Sequence, residues 1–195
     1  MAVPSIKGTA YSSVHDDLHR MIDEGKLSRD VIEVELSREE LDLFDSKVLA
    51  TRWYPIDTYR KLLATVARTD ARGNSVDAYL FDRGWRAAER LKDAGIYRQL
   101  GADEHSTKSW GARVAHLVGG ISGLLYNFTR WSVEETTNPN AFQIVVEDAK
   151  DFADECRWTA QGFVAFASTL LANAPVKINS TRPTPDRIVY SVRRG

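Results

Sequence analysis

The chain has 195 residues, with 26 Lys and Arg against 27 Asp and Glu, for a formal charge of −1. That balance, with no basic block, argues against a nucleic-acid partner, whose phosphates need clustered cations. No apolar run is long enough for a membrane span, MAVPSIKGTA lacks the charged-then-apolar pattern of a secretory signal, and the single cysteine, Cys156, leaves no internal disulfide. A cytoplasmic protein is the expectation. The length supports a normal core without staples, so a single domain over 1–195 is expected, helical over 1–127 and mixed over 128–195.

Residues 1–10 read as a loose lead or an edge strand. Ser12 or Ser13 is placed to cap a helix carrying Val14, Leu18, Met21 and Ile22, which Gly25 stops. Ser37 followed by Glu40 is a capping box, opening a short helix with Leu41 and Phe44. In WYPIDTYRKLLATVAR, Pro55 sits near the first helical position, where its missing N–H costs nothing. Ile56, Tyr59, Leu62, Leu63 and Val66 then form one apolar stripe. Gly73-Asn74 breaks the chain before a helix from about Ser75 to Lys92, with Val76, Tyr79, Leu80, Ala87, Ala88 and Leu91 inward. Gly95 and Gly101 punctuate a short segment. Ser109 to about Asn127 reads as a further helix with Val114, Leu117, Val118, Ile121, Leu124 and Leu125 apolar.

From Phe128 the rhythm changes. Trp131 and Val133 alternate with Ser132 and Glu134. After the turn residues Asn138, Pro139 and Asn140, Phe142, Ile144 and Val146 alternate with Gln143, Val145 and Glu147. Period-two alternation marks strands with one buried face. Over 150–172, Phe152, Cys156, Phe163, Phe166, Ala167 and Leu170 recur at helical spacing, and Asn173-Ala174-Pro175 ends that helix. Val176 and Ile178, then a turn at RPTPD, then Ile188, Tyr190 and Val192 complete a second pair of strands. The expected class is α+β: an N-terminal helical half packed on a C-terminal four-stranded antiparallel sheet of ββαββ order.

Several groups invite a chemical reading. His15 and His19 in HDDLH lie four apart on one helical face, as zinc-binding histidines do, and with Asp16 suggest a metal-dependent enzyme. No third ligand motif follows, and an exposed polar face is the competing reading. Asp148, Asp151 and Asp154 lack the pattern of a calcium loop and suit a helix N-terminus. His116 sits among apolar neighbours, where a ligand role competes with a satisfied, partly buried histidine. Gly119, Gly120 and Gly123 make a small-residue face, without the ending of a phosphate loop. Cys156 reads as a small core residue. No nucleophile elbow or dinucleotide fingerprint is present. Tyr79, Trp85, His116, Tyr126 and Phe163 fall on inward stripes near the helix–sheet junction. They are the residues expected to line an apolar ligand pocket if one exists.

The stretches SIKGTAY, WYPIDTY, VDAYLFDRGWRAA, GIYRQLG, DFADECRWTAQGFVAFASTLL and RPTPDRIVYSVRR resemble those of an uncharacterised myxobacterial-type domain family. That family is related to four-vinyl-reductase-type domains and to the ligand-binding fold shared by haem–NO sensors and Golgi transport-particle subunits. The resemblance implies helices packed on an antiparallel sheet, a dimeric habit and an apolar pocket. It carries over no catalytic residue. The metal-binding relatives' C-terminal cysteines are missing here. The haem sensors' Tyr-x-Ser-x-Arg signature is met only by Tyr190-Ser191-Val192-Arg193, with the right residue types at the wrong spacing. The expectation is a non-enzymatic module without a cofactor that binds a small apolar ligand or a protein partner in regulation. The alternatives are a homodimeric protein-interaction adaptor and the His15/His19 metal enzyme.

Overall fold

The computed structural model describes residues 3–99 and 109–195, and the expected break at Gly101 lies outside them. The α+β class holds: helices accompany a four-stranded antiparallel sheet of order β3-β4-β6-β5. The chain gathers into two units, Met1–Val76 with Leu125–Asn127, and Asp77–Leu124 with Phe128–Gly195.

In the first unit, β1 (Ser5–Lys7) pairs antiparallel with β2 (Trp53–Pro55), setting Ile6 opposite Tyr54. Ile6 also bridges Tyr126. The lead is thus a paired strand. Helix α1 (Gly8–Asp23) follows without a break, so Ser12 and Ser13 lie inside it and do not cap it; Ser12 Oγ donates back to the Thr9 carbonyl. The start is fixed by close backbone approach. A Cβ on residue 8 would lie 2.0 Å from the Leu49 carbonyl oxygen, and the Gly8 N–H bonds to Arg52 O at 2.8 Å. Only glycine admits that contact.

Helix α2 (Arg29–Glu35) is capped by Ser28, whose side chain accepts from Asp30 N. It buries Ile32 and leaves Val31 and Val34 exposed, so it carries no apolar stripe that periodicity would detect. Helix α3 (Arg38–Asp45) opens on the expected capping box: Glu40 N–H donates to Ser37 Oγ, and Ser37 N–H donates to Glu40 Oε2. Helix α4 (Ile56–Asp70) packs on α1, and buries the expected stripe of Ile56, Tyr59, Leu62, Leu63 and Val66. Each such side chain contributes about 1.5–3 kcal/mol when fully buried.

The second unit contains α5 (Val76–Asp93), α6 (Ile96–Gln99) and most of α7 (Trp110–Leu125). Its sheet consists of β3 (Arg130–Glu135), β4 (Ala141–Glu147), β5 (Val176–Thr184) and β6 (Arg187–Arg194). Val133 faces Ile144, and Ile144 faces Tyr190, so the period-two residues share one side of the sheet. Helix α8 (Asp154–Ala172) packs on β5 and β6. It starts four residues later than periodicity suggests, because Ala149–Asp151 form a 3₁₀ turn entered through Asp148 at φ 57°. At RPTPD the structure also differs from expectation. Arg182, Pro183 and Thr184 continue β5, and a bulge between Thr181 and Thr184 accommodates the proline. β5 is an edge strand, where a missing N–H breaks no ladder.

Candidate functional site

The histidine pair does lie on one face of α1, with ring centroids 4.4 Å apart. What α3 offers that face is a backbone carbonyl. The ring Nε2 of His15 lies 2.8 Å from Phe44 O, and that of His19 lies 3.4 Å from the same oxygen. Nδ1 of His15 meets Asp16 Oδ1 at 3.1 Å, and the His19 ring stacks on Phe44 at 4.5 Å and 8°. A ring nitrogen that donates to a carbonyl has no lone pair for a metal, so the two Nε2 atoms are not available as a ligand pair. The pair therefore ties α1 to the last turn of α3. Among the described residues no group of three or more His, Cys, Asp or Glu is placed to hold a metal ion.

Carboxylates nearby are likewise engaged. Glu40 accepts from Lys61 Nζ at 2.8 Å on both oxygens and from Thr58 Oγ1 at 3.1 Å. Burial pulls its carboxyl upward, but the Lys61 hydrogen bond and charge and the Ser37 hydrogen bonds outweigh that and hold it below the usual range. In the second unit Asp154 behaves similarly. Burial raises it, and Arg157 at 2.9 Å, with Arg182, brings it below its ordinary value. Asp154 occupies the first turn of α8, as the sequence suggests. A cleft of about 520 Å³ lies between Lys150, Asp154 and the Arg182–Pro185 bend. The Arg182 guanidinium beside it is committed to the carbonyls of Ala149, Pro185 and Phe152.

The geometry is different where α5 crosses α8. A Cβ on Gly84 would lie 1.8 Å from Thr159 O, and one on Gly162 would lie 1.8 Å from Phe81 O. The two helices thus touch backbone to backbone. This approach brings Trp85 N within 3.0 Å of the second position and Phe163 N within 3.1 Å of the first. Trp85 then meets Phe166 edge-on at 5.2 Å, and Tyr97 of α6 meets the other side of this corner at 6.3 Å from Phe166. Tyr97 is 4% exposed, and its hydroxyl has no hydrogen-bond partner among the described residues. Burial pushes that hydroxyl's pKa well above the phenol range, so it is a neutral donor.

Of the five residues expected to line a pocket, Trp85 and Phe163 are placed at this crossing, each with its backbone against the glycine of the other helix. Tyr79 lies earlier on α5 and is half-buried. His116 is exposed on α7, not inward, because the buried stripe runs through Val114, Leu117, Val118 and Ile121. Tyr126 belongs to the first unit. Tyr97, which sequence reasoning did not single out as a site residue, follows Gly95 on a four-residue helix. The signal available was a lone aromatic on a short segment bounded by glycine.

No protein-family model matches this chain, and no curated protein matches it in sequence. Solved structures do. An Fe(II) unliganded H-NOX mutant from K. algicida aligns with a TM-score of 0.58 at 12% identity, over 97% of this chain and 96% of its own. A T. tengcongensis H-NOX mutant aligns with a TM-score of 0.57 at 11% identity, over 96% and 97%. A structure solved to probe haem distortion in the H-NOX family aligns at 0.52 and 10% identity, over 85% and 88%. At these identities the likeness is one of fold, and it supports the ligand-binding-fold part of the resemblance.

Those structures raise the question of haem. Among the described residues no histidine has an Nε2 directed to an open site on the inner side of the helices. His15 and His19 are turned to Phe44 O, and His116 faces solvent. The fourth, His105, lies outside the described residues. Strand alternation also separates Tyr190 from Arg193. Tyr190 is buried, donating its hydroxyl to Arg157 O, while Arg193 points to the opposite, exposed side of β6.

Proposed function

We propose that this chain is a non-enzymatic regulatory module that binds a small, largely apolar ligand in the second unit, against Trp85, Tyr97 and Phe166. An acceptor atom of the ligand takes the Tyr97 O–H. The observation that carries this reading is the Tyr97 hydroxyl itself, buried and without a hydrogen-bond partner among the described residues. A buried hydroxyl left unpaired costs about 1–3 kcal/mol, a cost that a bound acceptor removes. Trp85 and Phe166, set edge to face, offer ring surfaces of the kind that small apolar ligands occupy. The H-NOX-like fold agrees with a sensing role, in which ligand binding shifts the protein's stability. At a hundredfold excess over Kd that shift is about 2.7 kcal/mol.

Thermal melts with a panel of aromatic acids, amides and ketones test the reading on wild type and Tyr97→Phe. At least one class of acceptor-bearing compound raises the wild-type midpoint, and the variant loses most of that rise. A panel without effect on wild type, or with equal effect on both proteins, contradicts it.

A further inference from the structure

The side of the sheet opposite Ile144, Tyr190 and Val192 holds the buried pair Val145 and Val189 at its centre and carries an imbalance of charge around them. On it, Arg187 is neutralised by Glu147 at 2.6 Å and Glu134 at 2.8 Å. At the other end of the same side, Lys177 of β5 stands directly opposite Arg193 of β6. Both are exposed, and neither side chain has an ion pair or a hydrogen bond among the described residues. Like charges directly opposite on neighbouring strands are destabilising. The adjoining row sets Asn179, Ser191 and Gln143 side by side across β5, β6 and β4, and ends on β3 at Glu134, whose charge is taken up by Arg187. The side chains of Asn179, Ser191 and Gln143 make no hydrogen bonds among the described residues either.

We infer that this end of the sheet is a docking surface for an acidic segment of a protein partner. The complementary charge of the partner relieves the Lys177–Arg193 repulsion, and the Asn179–Ser191–Gln143 row supplies donors and acceptors at the same strand spacing. Two cations are too few to track a nucleic-acid backbone. A free anion calls for converging donors in a concavity, whereas paired strands present theirs on an open sheet side. An extended acidic peptide has the charge and the reach to span the strands.

Fluorescence anisotropy at low salt with a short dye-labelled peptide of alternating glutamate and serine tests this inference. Wild type binds, binding weakens as salt is raised, and the double reversal Lys177→Glu with Arg193→Glu lowers affinity by about tenfold or more. The control Lys150→Glu, an exposed cation of the cleft, leaves affinity unchanged. The single reversal Lys177→Glu places opposite charges across the strands, so it melts at or above the wild-type temperature while binding more weakly. That combination separates a docking role from a structural one. The inference is overturned by absence of peptide binding, by equal binding of the double variant, by an equal loss in Lys150→Glu, or by inorganic phosphate competing as well as the peptide. Binding to phosphatidylserine vesicles in preference to the peptide overturns it as well.

Discussion

The His15–His19 corner and the Tyr97 corner differ in what their polar groups are used for. In the first, residues that look catalytic by spacing are consumed by the fold: both Nε2 atoms turn to one carbonyl, and Glu40 nearby is held by Lys61, Thr58 and Ser37. In the second, a residue with no motif to recommend it keeps a buried hydroxyl without a partner among the described residues. Motif spacing records which side chains share a helix face. Whether their atoms are free depends on what another element sets against that face.

The largest effect is expected where the second corner is built. Gly84→Ala or Gly162→Ala drives a methyl into a carbonyl oxygen and forces α5 and α8 apart. A loss of about 3 kcal/mol or more in denaturant unfolding is expected. Gly119→Ala and Gly123→Ala meet nothing within 4 Å and serve as controls. They gain about 0.5–1 kcal/mol from helix propensity. An equal loss in all four variants would erase the distinction between a close crossing and an open helix face.

In the first corner Glu40→Gln is expected to cost about 2 kcal/mol, the scale of a hydrogen-bonded charge. Its pH dependence has a definite sign. The folded carboxyl sits below its ordinary value, so its contribution is present above the unfolded glutamate pKa, about 4.3. It is lost as pH falls through the lower folded value. The acid limb of the stability profile is therefore shallower in Glu40→Gln than in wild type. His15→Ala removes the hydrogen bond to Phe44 O and should cost about 1 kcal/mol, read in the same unfolding assay, with no change in metal content by elemental analysis. Bound metal lost in that variant would return the pair to chemistry. The smallest effect belongs to Tyr97→Phe. Without ligand it is expected to be neutral or to stabilise by up to about 1 kcal/mol, since it deletes an unpaired group.

Much of the fold is legible in the chain. Trp131, Val133, Phe142, Ile144 and Val146 announce strands by alternation, and Ser37 with Glu40 announces a helix start by local chemistry. These signals are readable because each is carried by neighbours in sequence. Helix α2 is not legible, since one buried residue makes no stripe. Neither is the α1 start, which Gly8 owes to the approach of Leu49 from a distant loop. The candidate site was legible in part. Trp85 and Phe163 follow from apolar spacing as inward residues, but that they stand at one helix crossing is visible only from the approach of Gly84 and Gly162. The apolar neighbours of His116 suggest an inward position, whereas helical phase turns it outward.

Native mass spectrometry of gently purified wild type and Tyr97→Phe tests the central claim most directly. The account predicts a small-molecule adduct on wild type that is reduced or absent in the variant. A bare mass for both proteins, with Tyr97→Phe the more stable of the two, would show the orphaned hydroxyl to be a cost of the fold and contradict a ligand-binding role at this corner.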